Sequence, residues 1–261
     1  MMRPKEQLGK LIREAGDIFT VETAANVLGI PNSDIAKTLA RWAKQGWITR
    51  IRRGLYTVVP IEATTTNQAL EDAWVIVPDL FSPCYIGGWS AAEYWDLTEQ
   101  MFRSICVLTK RTQPQKLQVV HNITFSLTKI NPDLMFGTKT IWRKDKKIQI
   151  SDPHKTILDM LNNPQLGGGI QHVVDCIREY LKSEHCNDVK LFEYVKRMNN
   201  GAIFKRLGYI AECLLGRDHE LTEFCRNNIT KGNAYLDPKL KNGSLITRWR
   251  LFVPESFKDL A

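Results

Sequence analysis

Eight polar side chains in the first 60 positions have the types and the spacing to contact DNA. They are Ser33, Lys37, Thr38, Arg41, Lys44, Arg50, Arg52 and Arg53. Lys37, Arg41 and Lys44 recur at i, i+4 and i+7, so they share one face of a helix predicted over residues 33–45. The major groove is wide enough to admit such a helix, and lysines and arginines neutralise backbone phosphates. The pattern therefore predicts recognition of double-stranded DNA.

The elements that must position these residues form a winged helix-turn-helix over residues 1–60. A first helix over residues 5–15 is predicted to end at Gly16, and Thr20 is a predicted N-cap for a second. Residues 29–32 break that second helix, and Asn32 or Ser33 caps the basic one. Its other face, with Ile35, Leu39 and Trp42, is predicted to be buried.

A hairpin completes the predicted winged module. Residues 47–51 alternate like a half-buried strand, and residues 55–59 have strand propensity. Arg52-Arg53-Gly54 forms the tight turn between them. We expect Arg50, Arg52 and Arg53 to grip the DNA backbone or the minor groove beside the recognition helix. A basic helix face or an arginine turn alone is usually only a solvated surface, but their combination within forty residues favours DNA binding.

The distribution of charge agrees with this prediction. The chain has 261 residues and a net charge of +8. Residues 1–60 hold ten Lys and Arg residues against five Asp and Glu residues, so under a quarter of the chain carries +5. The excess positive charge thus lies where phosphate neutralisation requires it.

Other classes of protein are disfavoured. No run of 18 apolar residues and no signal-peptide pattern is present, so we expect a cytoplasmic protein without a membrane span. The six cysteines are scattered without a C-x-x-C pair, which indicates free thiols and neither a metal site nor a cofactor. Gly167-Gly168-Gly169 lacks the spacing of a P-loop, so a connector is the better interpretation. His154 has no nucleophile motif around it, and we expect no catalytic residue.

The remainder of the chain is predicted to be a larger α+β domain over residues 68–261, after a polar linker at residues 60–67. A helix is expected over residues 68–77, ended by Pro78-Asp79, and another capped near Ser90. Strands are expected near residues 85–86, 104–108, 123–127, 138–142 and 147–150, the last two forming a second basic hairpin. Asp152 caps a helix that starts with Pro153, and the C-terminal half is mainly helical. The clustered Trp89, Tyr94 and Trp95 are expected to belong to the core.

Two further hypotheses stay open at this point. One is an enzyme, such as a nuclease or nucleotide-modifying domain targeted by the winged helix, which cleavage of plasmid DNA in the presence of metal would reveal. The other is an interaction module whose helical tail binds a protein partner, which a pull-down with the neighbouring gene product would reveal. No metal cluster or D…(D/E)-x-K pattern supports the first hypothesis.

Three segments of the chain resemble the AbiEi-type antitoxins of abortive-infection toxin–antitoxin systems. They are residues 46–56 of the winged module, residues 85–100 with Ser90-Ala91-Ala92 and Leu97-Thr98-Glu99-Gln100, and residues 151–159, from Ser151-Asp152-Pro153 to Asp159. The resemblance runs over about residues 5–180 and more loosely beyond. It implies a winged helix that represses its own operon and a C-terminal domain that counters a nucleotidyltransferase-like toxin. In this group the antidote effect is usually described without a stable complex with the toxin. The resemblance identifies no residues responsible for antitoxicity, no operator and no oligomeric state.

Overall fold

The computed structural model describes residues 3–59, 72–144 and 146–258, and it has the mixed α+β architecture expected from the sequence. The predicted linker at residues 60–67 lies outside the described residues. The fold comprises an N-terminal winged helix, a six-stranded mixed sheet, and a C-terminal helical layer with a small terminal sheet.

The N-terminal module contains three helices and a three-stranded antiparallel sheet. Its elements are α1 (Pro4–Ala15), β1 (Ile18–Thr20), α2 (Val21–Leu28), α3 (Asn32–Lys44), β2 (Ile48–Arg52) and β3 (Leu55–Val58). The strand order is β1-β3-β2, so the predicted hairpin gains a third strand from the segment before α2. The Thr20 hydroxyl accepts a hydrogen bond from the Thr23 amide at 3.0 Å, which confirms the predicted N-cap.

The start of α3 differs from the prediction. The helix already includes Asn32 and Ser33, and Pro31 occupies the N-cap position without a side-chain cap. The Pro31 carbonyl instead accepts hydrogen bonds from the Asp34 and Ile35 amides, both at 3.0 Å. The extended backbone of proline is suited to the residue before a helix, so neither Asn32 nor Ser33 is needed as a cap.

The second part of the chain opens with short helical turns. A 3-10 helix, Ala73–Ile76, leads directly into α4 (Val77–Phe81). Residues 68–71 of the predicted helix lie outside the described residues, and the prediction that Pro78-Asp79 ends it is wrong. Pro78 lies in the first turn of α4, where its missing amide hydrogen costs nothing because that amide would have no partner in the helix.

Six strands form the central sheet in the order β6-β7-β5-β4-β9-β8. Their bounds, with the helix α5 that follows β4, are β4 (Cys84–Ile86), α5 (Gly88–Tyr94), β5 (Ser104–Thr109), β6 (Leu117–Val120), β7 (Ile123–Lys129), β8 (Thr138–Arg143) and β9 (Lys146–Ser151). The pair β8–β9 is the predicted second hairpin, and the short edge strand β6 was not predicted. The hydroxyl of Ser90 does not cap α5 as expected, because it accepts a hydrogen bond from the Cys106 amide of β5 at 2.9 Å.

Helices cover one face of this sheet. They are α6 (Pro153–Asn162), α7 (Ile170–Lys182), α8 (Asp188–Met198), α9 (Gly201–Leu215) and α10 (Glu220–Asn227). A small sheet follows, with β10 (Ala234–Tyr235), β11 (Gly243–Ile246) and β12 (Leu251–Pro254) in the order β10-β12-β11. The predicted cap of α6 is confirmed, because Asp152 accepts from the Lys155 amide at 2.9 Å.

The hydrophobic side chains form three cores. The winged-helix core contains Leu11, Phe19, Ile35, Leu39, Trp42 and Tyr56 among others. The helical core lies between the sheet and α6–α10. A third, the shared core, combines Ile18, Ile51 and Leu55 of the winged module with Ile76, Leu80, Phe81 and Phe125 of the second part. The sheet of the winged module is therefore apolar on both faces, and one face packs against the rest of the chain.

Candidate nucleic-acid interface

The predicted recognition helix buries its apolar stripe and exposes its basic one. Ile35, Leu39 and Trp42 are each 0% exposed. Lys37, Arg41 and Lys44 lie on the solvent-facing side and are exposed. The one-sided burial follows from the 3.6-residue period of the helix, and it presents the basic face to solvent as predicted.

The polar side chains near the start of α3 are either exposed or bonded within the helix. Ser33 is exposed near the N-terminus, and the Thr38 hydroxyl donates to the Asp34 carbonyl at 3.2 Å within the helix. Lys37 forms an exposed ion pair with Asp34 at 3.3 Å, with 81% of the lysine side chain accessible. An exposed pair of this kind contributes less than about 1 kcal/mol, so phosphate can readily replace the carboxylate.

The hairpin between β2 and β3 places two arginines in solvent. Gly54 has a φ of 84°, which lets the chain reverse within the tight turn. Arg53 is exposed beside it, and Arg50 is exposed one pleat back along β2. Both positions are compatible with contact to the DNA backbone.

Arg52 lies differently from the expectation. Its guanidinium donates to the Leu80 carbonyl at 2.9 Å and to the Asp79 carbonyl at 2.5 Å, both in α4. Partial burial, and next the nearby charge of Arg111, lower the pKa of Arg52. The guanidinium that the sequence suggested for phosphate therefore binds carbonyl groups of α4, although the residue remains exposed, and it links the winged module to the second part.

The second basic hairpin also directs part of its charge inward. Arg143 pairs with Asp72 at 3.3 Å and stacks over Trp74, with 4.6 Å between the guanidinium carbon and the ring centroid. Lys146 pairs with Asp79 at 3.1 Å. Lys139 lies 4.8 Å from the ring centroid of Trp95. The second basic hairpin is therefore not a purely solvated surface, because these cations contact acidic and aromatic partners. The aromatic cluster that was expected in the core is only partly buried, because Trp89 is 8% exposed but Tyr94 is 36% exposed.

Residues 151–159, one of the three segments that carry the resemblance, contribute two side chains to a buried polar network. Lys155 is 0% exposed, and its ammonium forms an ion pair with Asp159 and donates to the Tyr85 hydroxyl at 3.0 Å. Tyr85 in turn donates to Asp159 at 2.7 Å. Burial raises the pKa of Asp159, while Lys155 opposes that rise. Sequence reasoning missed this triad, although the i, i+4 spacing of Lys155 and Asp159 was a usable signal.

His154 and the glycine triplet, which the sequence singled out, both have contacts within the protein that explain them structurally. The Nδ1 atom of His154 lies 2.7 Å from the Tyr180 hydroxyl, and burial lowers the pKa of this histidine. At the glycine triplet, Gly168 and Gly169 have φ values of 77° and 128°, which favour glycine. The Asp237 carboxylate accepts from the Ile170 amide at 3.2 Å, so a protein carboxylate already occupies the start of α7.

Neither a metal-binding cluster nor a membrane-spanning helix is found among the described residues. Across residues 3–59, 72–144 and 146–258, no group of three or more His, Cys, Asp or Glu side chains is arranged to hold a metal ion. No helix in these ranges is both long and apolar enough to cross a membrane.

Comparison with known proteins identifies the N-terminal module. A family model described as "Transcriptional regulator, AbiEi antitoxin" matches residues 6–59. These residues contain most of α1, together with α2, the recognition helix α3 and the wing hairpin. A search of curated proteins found no match. The N-terminal module of this chain is thus similar to the AbiEi antitoxin family of transcriptional regulators over residues 6–59.

Proposed function

We propose that the protein is a sequence-specific repressor of its own operon and the antitoxin of a toxin–antitoxin pair. The observation that carries the DNA-binding half is the basic face of α3, exposed within a module that matches a regulator family. In this proposal, residues 1–60 bind DNA and residues 68–261 counter a nucleotidyltransferase-like toxin. The protein acts in the cytoplasm, without catalysis of its own.

In the proposed complex, α3 enters the major groove with Arg41 near its centre. Arginine can donate two hydrogen bonds to the O6 and N7 atoms of guanine, which is the commonest specific contact in this groove. Lys37, Lys44, Arg50 and Arg53 bind phosphates on either side and set the register. Ser33 and Thr38 add short polar contacts from the same helix. Backbone contacts position the module, and base contacts determine its sequence preference.

The test is a comparison of binding to the duplex upstream of the protein's own coding sequence and to a random duplex of equal length. The two affinities are measured across a series of salt concentrations. A preference of about a thousandfold or more is expected for a specific regulator. Equal affinity for the two duplexes, or no binding, would overturn the proposal.

A matched pair of variants links the binding to α3. Arg41→Ala removes one exposed cation from the recognition helix, and Lys5→Ala removes one from the exposed surface of α1. We expect the first change to reduce the preference for the upstream duplex and the second to leave it unchanged. Equal effects of the two variants would contradict the role assigned to α3.

The antitoxin half is tested in cells. The neighbouring gene is expressed from an inducible promoter, with and without this protein, and growth is followed. Rescue by the full chain is expected, and rescue should persist when the DNA-reading face is disabled by Arg41→Ala and Lys44→Ala together. If toxicity is not relieved by the full chain, this half of the proposal is wrong.

A further inference from the structure

A second positively charged surface lies outside the winged module. Residues 101–132 contain five basic residues and no Asp or Glu. The segment forms β5, β6 and β7, which make up one edge of the central sheet. Its basic residues are Arg103, Lys110, Arg111, Lys116 and Lys129. Three of them, Lys110, Arg111 and Lys116, lie on the exposed loop between β5 and β6. We refer to residues 110–116 as the basic loop.

Hydrogen bonds place the basic loop next to the wing. Arg52 of the wing donates to the Leu80 carbonyl, and the adjacent Phe81 carbonyl accepts from the Thr109 hydroxyl at 2.8 Å. The same hydroxyl accepts from the Arg111 amide at 3.1 Å. Only α4 therefore separates the wing from the start of the basic loop. The effect of the Arg111 charge on Arg52 is consistent with this short separation.

The loop is held in place by contacts that leave its charged ends in solvent. The Lys110 amide donates to the Pro83 carbonyl at 3.1 Å, and Lys129 of β7 donates to the Thr112 hydroxyl at 2.8 Å. Within the described residues, the charged groups of Lys110, Arg111 and Lys116 form no ion pair with a carboxylate. The side chains of this loop thus gather positive charge that no carboxylate of the described residues neutralises.

We propose that the basic loop is a second DNA-contact element, which binds backbone phosphates beside those held by Arg50 and Arg53. The inference rests on the proposed function, and it extends the interface from the winged module onto the second part of the chain. The shared core and the Arg52 contact hold the two parts together, so DNA can meet both surfaces without first ordering them. A cluster of like charges next to a DNA-binding wing is expected to add affinity without adding base specificity.

An acidic protein segment is the competing occupant, because Leu117 and Val119 on the adjacent strand β6 are 61% and 70% exposed. The position of the loop beside the wing favours DNA. A duplex that lies along α3 and the wing extends past the module on both sides, so it can reach a loop beside the wing. Binding of an acidic protein does not depend on the loop lying beside the wing.

The experiment is a salt titration of the full chain on the upstream duplex, combined with hydroxyl-radical footprinting. The test variant carries Lys110→Gln, Arg111→Gln and Lys116→Gln. Each phosphate contact contributes about 0.9 to the slope of log K against log [salt], so three lost contacts lower its magnitude by up to about 2.7. We expect weaker binding to the upstream and the random duplex alike, and loss of protection at one end of the footprint.

Two controls separate local contact from general charge and from misfolding. The variant with Lys231→Gln, Lys239→Gln and Lys241→Gln loses the same charge from exposed positions near the C-terminal sheet. It should keep the slope and the footprint of the unmodified protein. The variant with Lys110→Arg, Arg111→Lys and Lys116→Arg preserves the local charge and should also keep both.

The outcomes distinguish this inference from the function on which it rests. If the unmodified protein shows no preference for the upstream duplex, the proposed function itself fails. If it does show a preference but the basic-loop variant retains its slope and footprint, only the present inference is overturned. A fall in slope that the distant control reproduces would also overturn it, because the effect would then reflect net charge.

Discussion

The positive charges of the recognition helix and those of the helical layer have opposite surroundings. Arg41 and Lys44 in α3 are exposed, and they have no acidic partner among the described residues. Lys155 in α6 and Arg206 in α9 are 0% and 4% exposed. Arg206 donates to the carbonyl oxygens of Leu161, Asn162 and Tyr235, at distances between 2.6 and 3.1 Å. The first pair is free to meet a ligand, and the second is occupied in holding the fold.

The difference shows why net charge alone cannot locate a binding surface. A buried cation must be paired or hydrogen-bonded, because its transfer out of water costs several kcal/mol. An exposed cation carries no such cost and can be neutralised by an incoming phosphate. Exposure is needed for DNA binding but does not by itself assign a cation to it, because Arg52 is exposed and yet donates to carbonyl groups of α4.

The largest effect that would sharpen this comparison is expected at the buried triad. Lys155→Met leaves Asp159 without its cationic partner in the core, and we expect it to lower the free energy of unfolding by about 3–5 kcal/mol. Lys182→Met, which removes an exposed lysine paired with Glu179 at 3.0 Å, should cost less than about 1 kcal/mol. Denaturant unfolding measures both. Similar losses in the two variants would show that burial does not separate these cations.

The next effect concerns binding and not stability. Arg41→Ala should cost about 1–3 kcal/mol of binding to the upstream duplex and relax the preference at one base pair. Its free energy of unfolding should change little, because the side chain is exposed. Competition with duplexes substituted one base pair at a time measures the relaxation. A uniform loss on every duplex would assign Arg41 to phosphate contact.

The two arginines of the wing turn provide the closest matched pair. Arg53→Ala should lower the magnitude of the salt slope by about one, because it removes a phosphate contact. Arg52→Ala should leave the slope nearly unchanged and lower the free energy of unfolding by about 1 kcal/mol through loss of its bonds to α4. If Arg52→Ala changes the slope as much as Arg53→Ala, then Arg52 leaves α4 to bind DNA.

The smallest expected effect is a pH dependence from His154, which lies in the buried group and resists acquiring charge. Burial lowers its pKa in the folded chain below the ordinary value of 6.5, so the unfolded chain binds the proton first. The free energy of unfolding should therefore fall as the pH falls through about 6.5.

His154→Gln should remove part of this pH dependence. The charged and titratable neighbours that act on His154 are Asp152, Lys139, Lys190 and His185. His185→Gln, which removes the neighbouring histidine and leaves His154 in place, is the control. An unchanged pH profile in His154→Gln would contradict the assignment.

The sequence predicted most elements wherever hydrophobic period and capping residues agree. The stripe of Ile35, Leu39 and Trp42 marked the buried face of α3, and Asp152 before Pro153 marked the start of α6. The start of the second part was predicted less well. The sequence predicts that Pro78 ends a helix, but Pro78 lies in the first turn of α4. Proline is tolerated in a first turn, and the sequence alone does not show which turn that is.

The candidate interface, too, was predicted from the sequence only in part. By itself, the sequence determined the winged helix, the basic face of α3 and the excess of positive charge near the N-terminus, because helical period and turn chemistry are local properties. Only the tertiary structure decided that Arg52 binds carbonyl groups of α4, that Lys155 and Asp159 are buried together, and that the basic loop lies beside the wing. These are contacts between residues distant along the chain, and burial in the folded molecule determines whether a charged side chain faces solvent or a partner.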